Sequence, residues 1–380
     1  MTTDARFMRA ALRAARRNLG QTWPNPAVGA LIVTPDGEIA GLGATARGGR
    51  PHAEAVALRM AGARAKGATC YVTLEPCAHH GRTPPCADAL IESGVSRVVI
   101  GLGDADIRVA GRGIAALREA GITVETGCCA EDAALLAAGH ILRISAARPF
   151  VTLKLAMSAD GMFAGAQQVP VAITGEETRA HVHMMRARHD AILVGAGTVH
   201  ADDPSLTCRL AGMRDRSPLR IVLDSRFSMS ADAAMLASGP DVWIFGSEVH
   251  RDAAEPLKAA GAETIEMPGE GAATPGAVLQ VLAARGITRL MVEGGGAVAA
   301  AFLDAGLVDE LILARSDCTL SEIAPDAGQG RAVPQLAALA AGGESDAYER
   351  VETRAAGTDT ITLWRRSGLE SGLLAAAAQP

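Results

Sequence analysis

Short apolar segments alternate with helical segments about ten residues long along most of the chain, and this alternation restricts the fold more than any other feature. One example is the apolar run 69–74, which is followed by a helical pattern over 86–93 that ends at Gly94. The next apolar run covers 97–101. Because two parallel strands need a crossover connection, commonly a helix, the pattern predicts layered α/β domains with mostly parallel sheets.

The length of the chain predicts two domains. It has 380 residues, which is about twice the length of a typical domain. The segment Ala-Ala-Arg-Pro at 146–149 follows a predicted helix and precedes a new set of predicted strands. We therefore expect a first domain over 1–146 and a second over 148–366. Residues 367–380 end in an alanine run and a proline, and we expect them to form a flexible tail.

Composition and charge exclude several classes of function. The net charge is −6 and the sequence pI is about 5.9, which argues against a protein that binds nucleic acid through bulk charge. No apolar run reaches the roughly 18 residues of a membrane span. Seven cysteines, an odd number, indicate reduced thiols, so we expect a cytoplasmic protein without membrane association.

The strongest chemical signal is a candidate zinc site formed by His52, Cys77 and Cys86. Three His and Cys ligands with an open fourth position are typical of catalytic zinc, which acidifies water. Glu54 follows His52 by two residues and is predicted to take the proton of that water and return it to a leaving amine. The pattern is close to the zinc nucleobase deaminase signature H-x-E…P-C-x-x-C, but the two cysteines are nine residues apart here.

A structural zinc site is the alternative interpretation of the same residues. Such a site takes a fourth protein ligand, and His79 or His80 would supply one. Any one of these cysteines alone is more often a small buried apolar residue. The joint presence of Glu54 and three ligands favours the catalytic interpretation.

The second half contains candidate sites for anions. Lys154 lies inside an apolar predicted strand, where an ammonium group is costly unless it pairs with an anion or reaches water. Arg186 and Arg209 are candidate phosphate ligands, although a lone arginine is more often a solvated surface residue. The run Glu-Gly-Gly-Gly at 293–296 precedes a predicted helix, where its backbone N–H groups can approach a phosphate closely. A tight turn between strand and helix is the alternative explanation of the same glycines. This run is not G-x-G-x-x-G, and an ordinary dinucleotide-binding fold is not indicated.

Several motifs of the first half resemble the deaminase half of the bifunctional riboflavin-biosynthesis deaminase/reductase family. The matching segments are Pro-Asn-Pro-Ala-Val-Gly at 24–29, His-Ala-Glu at 52–54, Thr-Leu-Glu-Pro-Cys at 73–77, His-His-Gly-Arg-Thr-Pro-Pro-Cys at 79–86 and Val-Ala-Gly-Arg-Gly at 109–113. The resemblance implies a cytidine-deaminase-like, three-layer α/β/α domain. It also implies that Asn25, His79 and Asp104 contact the pyrimidine substrate, with the loop from His79 to Thr83 forming part of the pocket.

The second half is similar to the reductase half of the same family. The matching segments are Lys-Leu-Ala-Met-Ser-Ala-Asp-Gly at 154–161, Ile-Thr-Gly at 173–175, Ala-Asp-Asp-Pro at 201–204 and Leu-Asp-Ser at 223–225. They imply a dihydrofolate-reductase-like α/β domain that uses NADPH. The implied NADPH contacts are Ala156, Thr198, Asp202, Ser225, Gly295, Gly296, Ala297 and Val298. The implied contacts to the reductase substrate are Lys154, Arg186, Leu206, Arg209 and Glu293.

The resemblance implies two consecutive steps of riboflavin biosynthesis with Zn²⁺ and NADPH as cofactors. The first is hydrolytic deamination of 2,5-diamino-6-(5-phosphoribosylamino)pyrimidin-4(3H)-one. The second is NADPH-dependent reduction of 5-amino-6-(5-phosphoribosylamino)uracil to the ribitylamino product. The substrates are then phosphorylated pyrimidine small molecules rather than nucleic acid, and the family suggests a homodimer or a higher homo-oligomer.

Four positions differ from the usual residues of the family, namely Thr45, Asp106, Pro170 and Ala172. All four lie where contacts to substrate or cofactor are expected. One alternative function is therefore a zinc-binding homologue without turnover. Another is a zinc deaminase that acts on a nucleic acid or a free nucleobase, which would leave the C-terminal half without a role.

Overall fold

The structure is a computed structural model that describes residues 2–79, 84–165, 171–237, 239–271, 273–327, 330–340 and 343–378. Contacts between residues divide the chain into two compact units. The first contains Met1–Pro149, Ala283–Thr288 and Gly368–Pro380, and the second contains Phe150–Leu282 and Arg289–Ser367. The end of the chain therefore belongs to the first unit.

The first unit is built on a five-stranded sheet. Its strands are β1 (Gly29–Val33), β2 (Ile39–Ala44), β3 (Thr69–Val72), β4 (Arg97–Ile100) and β5 (Thr123–Thr126). The helices within Met1–Pro149 are α1 (Thr3–Arg16), α2 (Ala53–Ala61), α3 (Cys86–Glu92), α4 (Arg112–Glu119) and α5 (Ala130–Ser145). The strand order is β2-β1-β3-β4-β5, with β1 antiparallel to both neighbours and β3, β4 and β5 parallel. The predicted parallel pairing thus applies from β3 onward.

Two glycines on neighbouring strands allow helices to pack closely on both faces of this sheet. A Cβ atom on Gly29 would lie 2.0 Å from the backbone oxygen of Ala11 in α1, and one on Gly43 would lie 2.0 Å from that of Ala53 in α2. Gly43 pairs with Ala30, the residue after Gly29, so the two glycines face opposite sides of the sheet. Helices α1 and α2 therefore cover opposite faces, which gives the expected α/β/α layers.

The second unit contains most of the remaining elements. Its strands are β6 (Phe150–Met157), β7 (Ala164–Gly165), β8 (Ala191–Gly195), β9 (Leu219–Leu223), β10 (Val242–Ser247), β11 (Glu263–Met267), β12 (Arg289–Val292), β13 (Glu310–Arg315), β14 (Gly330–Arg331), β15 (Tyr348–Ala356) and β16 (Asp359–Arg366). The helices that follow α5 are α6 (Glu176–Arg186), α7 (Ala196–Asp202), α8 (Ala234–Ala237), α9 (Glu255–Ala259), α10 (Pro275–Ala284), α11 (Gly296–Asp304), α12 (Leu320–Ile323) and α13 (Ala337–Ala340). No helix in the described part of the chain combines the length and apolar character needed to cross a membrane.

A nine-stranded sheet forms the centre of the second unit. Its order is β11-β10-β9-β8-β12-β6-β13-β16-β15. The strands from β11 to β13 in this order are parallel, and β16 and β15 add an antiparallel hairpin at one edge. The carboxyl ends of β6, β8 and β12 therefore meet at one edge, where α/β proteins usually bind ligands.

The flexible tail expected over 367–380 is wrong for its described part, because this segment forms helix α14 (Leu369–Ala377). Leu369, Leu373 and Ala377 are buried and recur every four residues, so they share one helix face. This helix packs against α5. The alanine run that suggested a frayed end is instead a sequence of good helix formers with an apolar face.

Candidate functional site

Three candidate metal ligands lie together where α2 and α3 begin. His52 immediately precedes α2, Cys86 is the first residue of α3, and Cys77 lies in the segment after β3. The Nδ1 atom of His52 lies 3.3 Å from the Sγ atom of Cys86 and 3.7 Å from that of Cys77. Tetrahedral zinc with normal bond lengths separates a nitrogen and a sulfur ligand by about 3.6 Å. The donor set and its spacing therefore fit a zinc ion.

Hydrogen bonds within this cluster favour the thiolate form of Cys77. The Cys86 thiol donates to Cys77 and is the main reason that the pKa of the Cys77 thiol lies below its usual value. The backbone N–H of Cys86 also donates to the Cys77 Sγ atom, at 3.3 Å. The same cluster raises the pKa of His52, chiefly through its hydrogen bond with Cys77. The same bonds raise the pKa of the Cys86 thiol, so they favour a single thiolate, at Cys77. Zinc binding requires Cys86 and His52 to lose their protons as well.

Glu54 lies beside the ligands in the first turn of α2. Its side chain is buried, and burial is the main reason that the pKa of Glu54 is raised to about 7. A carboxyl group with a pKa near neutrality both accepts and returns protons efficiently. The structure thus places a candidate general acid–base next to the three ligands.

The structural-zinc alternative depends on a fourth protein ligand. His79 does not belong to the group of closely spaced ligand atoms that the described residues form. Its Nδ1 atom is buried and has no hydrogen-bond partner among the described residues. His80, together with the loop as far as Thr83, lies outside the described residues. The described ligands are therefore the three that leave a position open for water.

Asn25 and Thr45 lie on the segments that lead to His52. The side-chain amide of Asn25 donates to the backbone oxygen of Gly49 at 2.9 Å, which ties Asn25 to the loop before His52. Thr45, which differs from the family residue, is buried, and its hydroxyl accepts a 3.0 Å hydrogen bond from the Val28 backbone N–H. The Thr45 hydroxyl therefore stabilises the start of β1.

The Asp104 carboxylate is bonded within the protein rather than grouped with the metal ligands. It lies 2.9 Å from the Nε2 atom of His140 on α5 and accepts a 2.9 Å hydrogen bond from the Asp106 backbone N–H. Asp106, another departure from the family, pairs with Arg108, which lowers the pKa of Asp106 to about 2. The contact between Asp104 and substrate stays a prediction.

A cavity of about 620 Å³ lies at the carboxyl edge of the second sheet, and it collects most of the predicted reductase residues. The predicted residues that line it are Lys154, Ala156, Arg186, Thr198, Asp202, Arg209, Glu293, Gly295, Gly296, Ala297 and Val298. Ser225 lines a neighbouring cavity of about 380 Å³, which shares Ala297 and Val298 with the first. The volumes suit a cofactor and a small substrate.

The glycine turn after β12 forms one wall of this cavity. Gly295 immediately precedes helix α11, and its backbone N–H donates to the Thr198 hydroxyl at 3.2 Å. Thr198 therefore holds the turn that presents the start of α11. The partial positive charge of a helix N-terminus favours a cofactor phosphate at this wall.

Lys154, Glu293 and Arg186 form a largely buried charged group that lines the same cavity. The Lys154 Nζ atom lies 3.7 Å from Glu293, and Arg186 bonds the other Glu293 oxygen at 2.9 Å. Burial lowers the pKa of the Lys154 ammonium, and the nearby Glu293 carboxylate opposes this shift. Lys154 is thus an ammonium group whose proton is lost more easily than usual.

One predicted substrate contact of the second unit, Leu206, is not among the residues that line the cavity, and this contact stays a prediction. The Leu206 side chain packs in the hydrophobic core with Val222 and Met291. The sequence pattern around it could not separate a core leucine from a cavity leucine. Ala172, a departure from the family, does line the cavity, whereas Pro170 lies outside the described residues.

The structure adds two basic residues that the sequence analysis missed. Arg179 and His183 line the cavity beside Arg186. All three lie on α6, at spacings of four and three residues that put them on one helix face. This spacing was the available signal, but it requires knowing which face of the helix points to the cavity.

These features define a class of protein. A three-layer unit with a His/Cys/Cys group and a buried glutamate is that of a zinc-dependent deaminase, here joined to a second unit with a reductase-like cofactor cavity. Residues 1–102 match the family model of the cytidine and deoxycytidylate deaminase zinc-binding region. Residues 149–316 match the model of the RibD C-terminal domain.

The particular family follows from proteins that are similar over most of the chain. The riboflavin biosynthesis protein RibD of Bacillus amyloliquefaciens is 43% identical and covers 80% of this chain and 82% of its own. That of Escherichia coli K12 is 41% identical, with 83% of this chain and 91% of its own covered. The chain therefore belongs to the RibD family of riboflavin biosynthesis.

Solved structures agree with this assignment. Acinetobacter baumannii RibD has a TM-score of 0.82 at 34% identity and covers 96% of this chain and 99% of its own. A deaminase/reductase of Thermotoga maritima has a TM-score of 0.79 at 34% identity, with 96% and 98% covered. The predicted cytidine-deaminase-like and dihydrofolate-reductase-like folds are confirmed. So are the bifunctional deaminase and reductase activities in riboflavin biosynthesis and the use of zinc and NADPH.

Proposed function

We propose that the first unit deaminates 2,5-diamino-6-(5-phosphoribosylamino)pyrimidin-4(3H)-one and that the second reduces the resulting 5-amino-6-(5-phosphoribosylamino)uracil. These two substrates are the ones that the activities of the Thermotoga relative name or imply. We assign the deaminase to 1–146 and the reductase to 148–366, with α14 completing the first unit. The observation that carries the proposal is the buried Glu54 beside the three grouped ligands.

In the deaminase step, His52, Cys77 and Cys86 hold the metal and Glu54 moves the protons. A zinc ion in this site acidifies water and so supplies a nucleophile at neutral pH. Glu54 accepts a proton from the attacking water and delivers it to the adjacent ring nitrogen, and it then carries the proton of the new hydroxyl group to the amino group. The carbon–nitrogen bond breaks, ammonia leaves and a carbonyl group remains. A Glu54 pKa of about 7 suits both directions of transfer.

Asn25 and His79 are the proposed substrate contacts of this site. Asn25 is fixed on the loop before His52, and His79 keeps a buried Nδ1 atom without a partner among the described residues. A buried ring nitrogen of this kind gains stability when a ligand supplies its hydrogen bond. We include Asp104 as a third contact that requires a change in its pairing with His140.

In the reductase step, the cavity residues bind and orient the ring-opened substrate. NADPH supplies the hydride, which is added to C1 of the imine formed when the ribosyl ring opens. Lys154 then provides the proton for the imine nitrogen, because it is a buried ammonium with a lowered pKa that lines the cavity. Glu293 holds Lys154 in place from 3.7 Å. The new carbon–hydrogen and nitrogen–hydrogen bonds give the ribitylamino product.

The basic face of the cavity is the proposed site for the substrate phosphate. Arg179, His183 and Arg186 on α6 lie with Arg209 along its lining. Arginine binds phosphate in a bidentate manner, so this face has the chemistry that a ribosyl 5-phosphate requires. The part of the lining formed by Thr198 and the start of α11 then takes NADPH.

We further propose a cytoplasmic homodimer or higher homo-oligomer. The seven cysteines are free, as reduced thiols in the cytoplasm are. Analytical ultracentrifugation of the full chain measures its oligomeric state directly, and a monomer at micromolar concentration contradicts the proposal.

The test of the two-step function follows each product separately. The wild-type chain with zinc is given the diaminopyrimidinone ribosyl phosphate and NADPH, and ammonia release and NADPH oxidation are recorded. We expect one ammonia and one NADPH per turnover. A strong zinc chelator is expected to stop ammonia release but not NADPH oxidation with the deaminated substrate. Absence of ammonia from zinc-loaded protein contradicts the deaminase assignment and supports a homologue without turnover.

A further inference from the structure

Glu75 is a buried carboxylate two residues before the metal ligand Cys77. Its two oxygens accept hydrogen bonds from four backbone N–H groups. One oxygen accepts from Asp104 at 3.4 Å and from Gly111 at 3.1 Å. The other accepts from Gly113 at 3.0 Å and from Ile114 at 3.2 Å. One side chain therefore joins the segment before Cys77 to the loop after β4 and to the first turn of α4.

The segment that receives Glu75 is the Val-Ala-Gly-Arg-Gly motif at 109–113, to which neither proposed reaction gives a role. Gly111 immediately precedes α4 with a φ of +74°, a conformation that favours glycine. A Cβ atom on Gly113 would lie 2.1 Å from the Pro76 backbone oxygen. The start of α4 therefore presses directly against the peptide before Cys77, and only glycine fits at 113.

Electrostatics favours this arrangement. The exposed N–H groups of a helix start carry partial positive charge, and a carboxylate that accepts them is stabilised. Hydrogen bonds to an ionised acceptor are also about twice as strong as neutral ones. With four such bonds, the Glu75 side chain has its acceptor positions filled within the protein.

The position of Cys77 depends on the segment that Glu75 holds. Cys77 follows Pro76 directly, and two hydrogen bonds join it to α3. The Cys86 N–H donates to its sulfur at 3.3 Å, and the Ala87 N–H donates to its backbone oxygen at 3.2 Å. Glu75 and α3 thus hold the Cys77 turn from its two sides.

We propose that Glu75 is a positioning residue for the metal centre: by bonding the start of α4 and the loop that carries Asp104, it places the Cys77 sulfur at the distance from His52 that zinc requires. This inference rests on the proposed deaminase function. In this arrangement the 109–113 motif supplies backbone N–H donors for the Glu75 carboxylate. Residues that orient metal ligands typically change metal affinity about 10- to 100-fold when they are replaced.

The test compares Glu75→Gln with the wild type in the full chain. In either orientation, the amide puts its NH2 group against one pair of the four N–H donors, so the segment is expected to shift. Zinc affinity is measured by competition with a chromophoric chelator, and the Co²⁺-loaded protein reports thiolate coordination through its charge-transfer bands. We expect about 10- to 100-fold weaker zinc binding, altered bands and a lower kcat for ammonia release. NADPH oxidation with the deaminated substrate should not change.

Asp359→Asn is the matched control. Asp359 is equally buried and accepts hydrogen bonds at 2.7 Å from the Gly175 N–H and the Thr178 hydroxyl, but it lies in the second unit. Its replacement should leave zinc affinity and the Co²⁺ bands unchanged. A loss of zinc affinity in this control as large as that in Glu75→Gln would overturn the positioning role.

Gly113→Ala provides a second, independent variant. It removes no polar group, and its methyl group pushes on the Pro76 oxygen, so it should weaken zinc binding in the same way. If Glu75→Gln does not fold, this variant decides the question. Wild-type zinc affinity and Co²⁺ bands in either folded variant overturn the inference. Failure of the wild type to bind zinc or release ammonia would instead contradict the proposed function.

Discussion

The metal centre comes from two short stretches, 52–54 and 77–86, whereas the cavity of the second unit collects side chains from Lys154 to Val333. The metal site forms where two helices begin, so a few neighbouring residues specify it. The cavity forms only when β8, β12 and β6 lie side by side. The comparison teaches that the deaminase chemistry depends on local spacing and the reductase chemistry on strand order.

Loss of one metal ligand should have the largest effect. In Cys86→Ala, ammonia release is expected to fall to the background rate, because the remaining ligands no longer hold the metal that acidifies water. Zinc content per chain and ammonia release are measured together. Cys70→Ala is the control, since Cys70 is a buried cysteine on β3 outside the ligand group. Normal ammonia release by zinc-free Cys86→Ala would refute the local metal site.

Lys154→Met is the corresponding test of the reductase cavity in the second unit. NADPH oxidation with the deaminated substrate is expected to fall by about 10²- to 10⁴-fold, the usual effect of losing a proton donor. Ammonia release from the first substrate should stay at the wild-type rate. A variant that loses both activities while it stays folded would show that the two sites are not independent.

Leu373→Ala tests whether the end of the chain stabilises the unit that contains the metal site. The side chain is buried on α14, which packs against α5 of the first unit. Its truncation should lower the free energy of unfolding of that unit by about 2 to 5 kcal/mol, as core leucines do. Urea denaturation of the zinc-loaded chain measures this loss, with the more exposed Leu374→Ala as control. Equal losses of unfolding free energy in the two variants would contradict the packing of α14 through Leu373.

The pH dependence of the reductase should be the smallest effect, with about tenfold less activity for each pH unit above the controlling pKa. Lys154 must be protonated to act, and its pKa lies below the usual 10.5. Activity should therefore decline as pH rises, beginning below pH 10.5. The pH profile of kcat measures this decline, and the residual activity of Lys154→Met should lack it. The same alkaline decline in Lys154→Met would assign it to another group.

The part of the candidate site that local motifs specify could be predicted from the sequence. The ligand group at His52, Cys77 and Cys86, with Glu54 beside it, follows from spacing within and before helices, and the structure brings the four residues together. Roles that depend on the orientation of a side chain in the folded protein could not be predicted. The Leu206 side chain packs in the core with Val222 of β9 and Met291 of β12, which come together only in the folded chain.

The end of the chain shows a different limit. Buried residues at every fourth position of α14 carry a helical signal, but its partner α5 lies more than two hundred residues earlier. No local pattern indicates such a partner. The same applies to Glu75, whose four N–H donors come from a loop and a helix start well beyond it in sequence.

The most direct test of the account is ammonia release by Glu54→Gln, measured with zinc content and NADPH oxidation in the same samples. Because the amide cannot take the proton of water, ammonia release should fall by about 10²- to 10⁴-fold while zinc stays bound. NADPH oxidation with the deaminated substrate should continue at the wild-type rate. Wild-type ammonia release by this variant would contradict the central claim that Glu54 moves the proton beside the His52, Cys77 and Cys86 site.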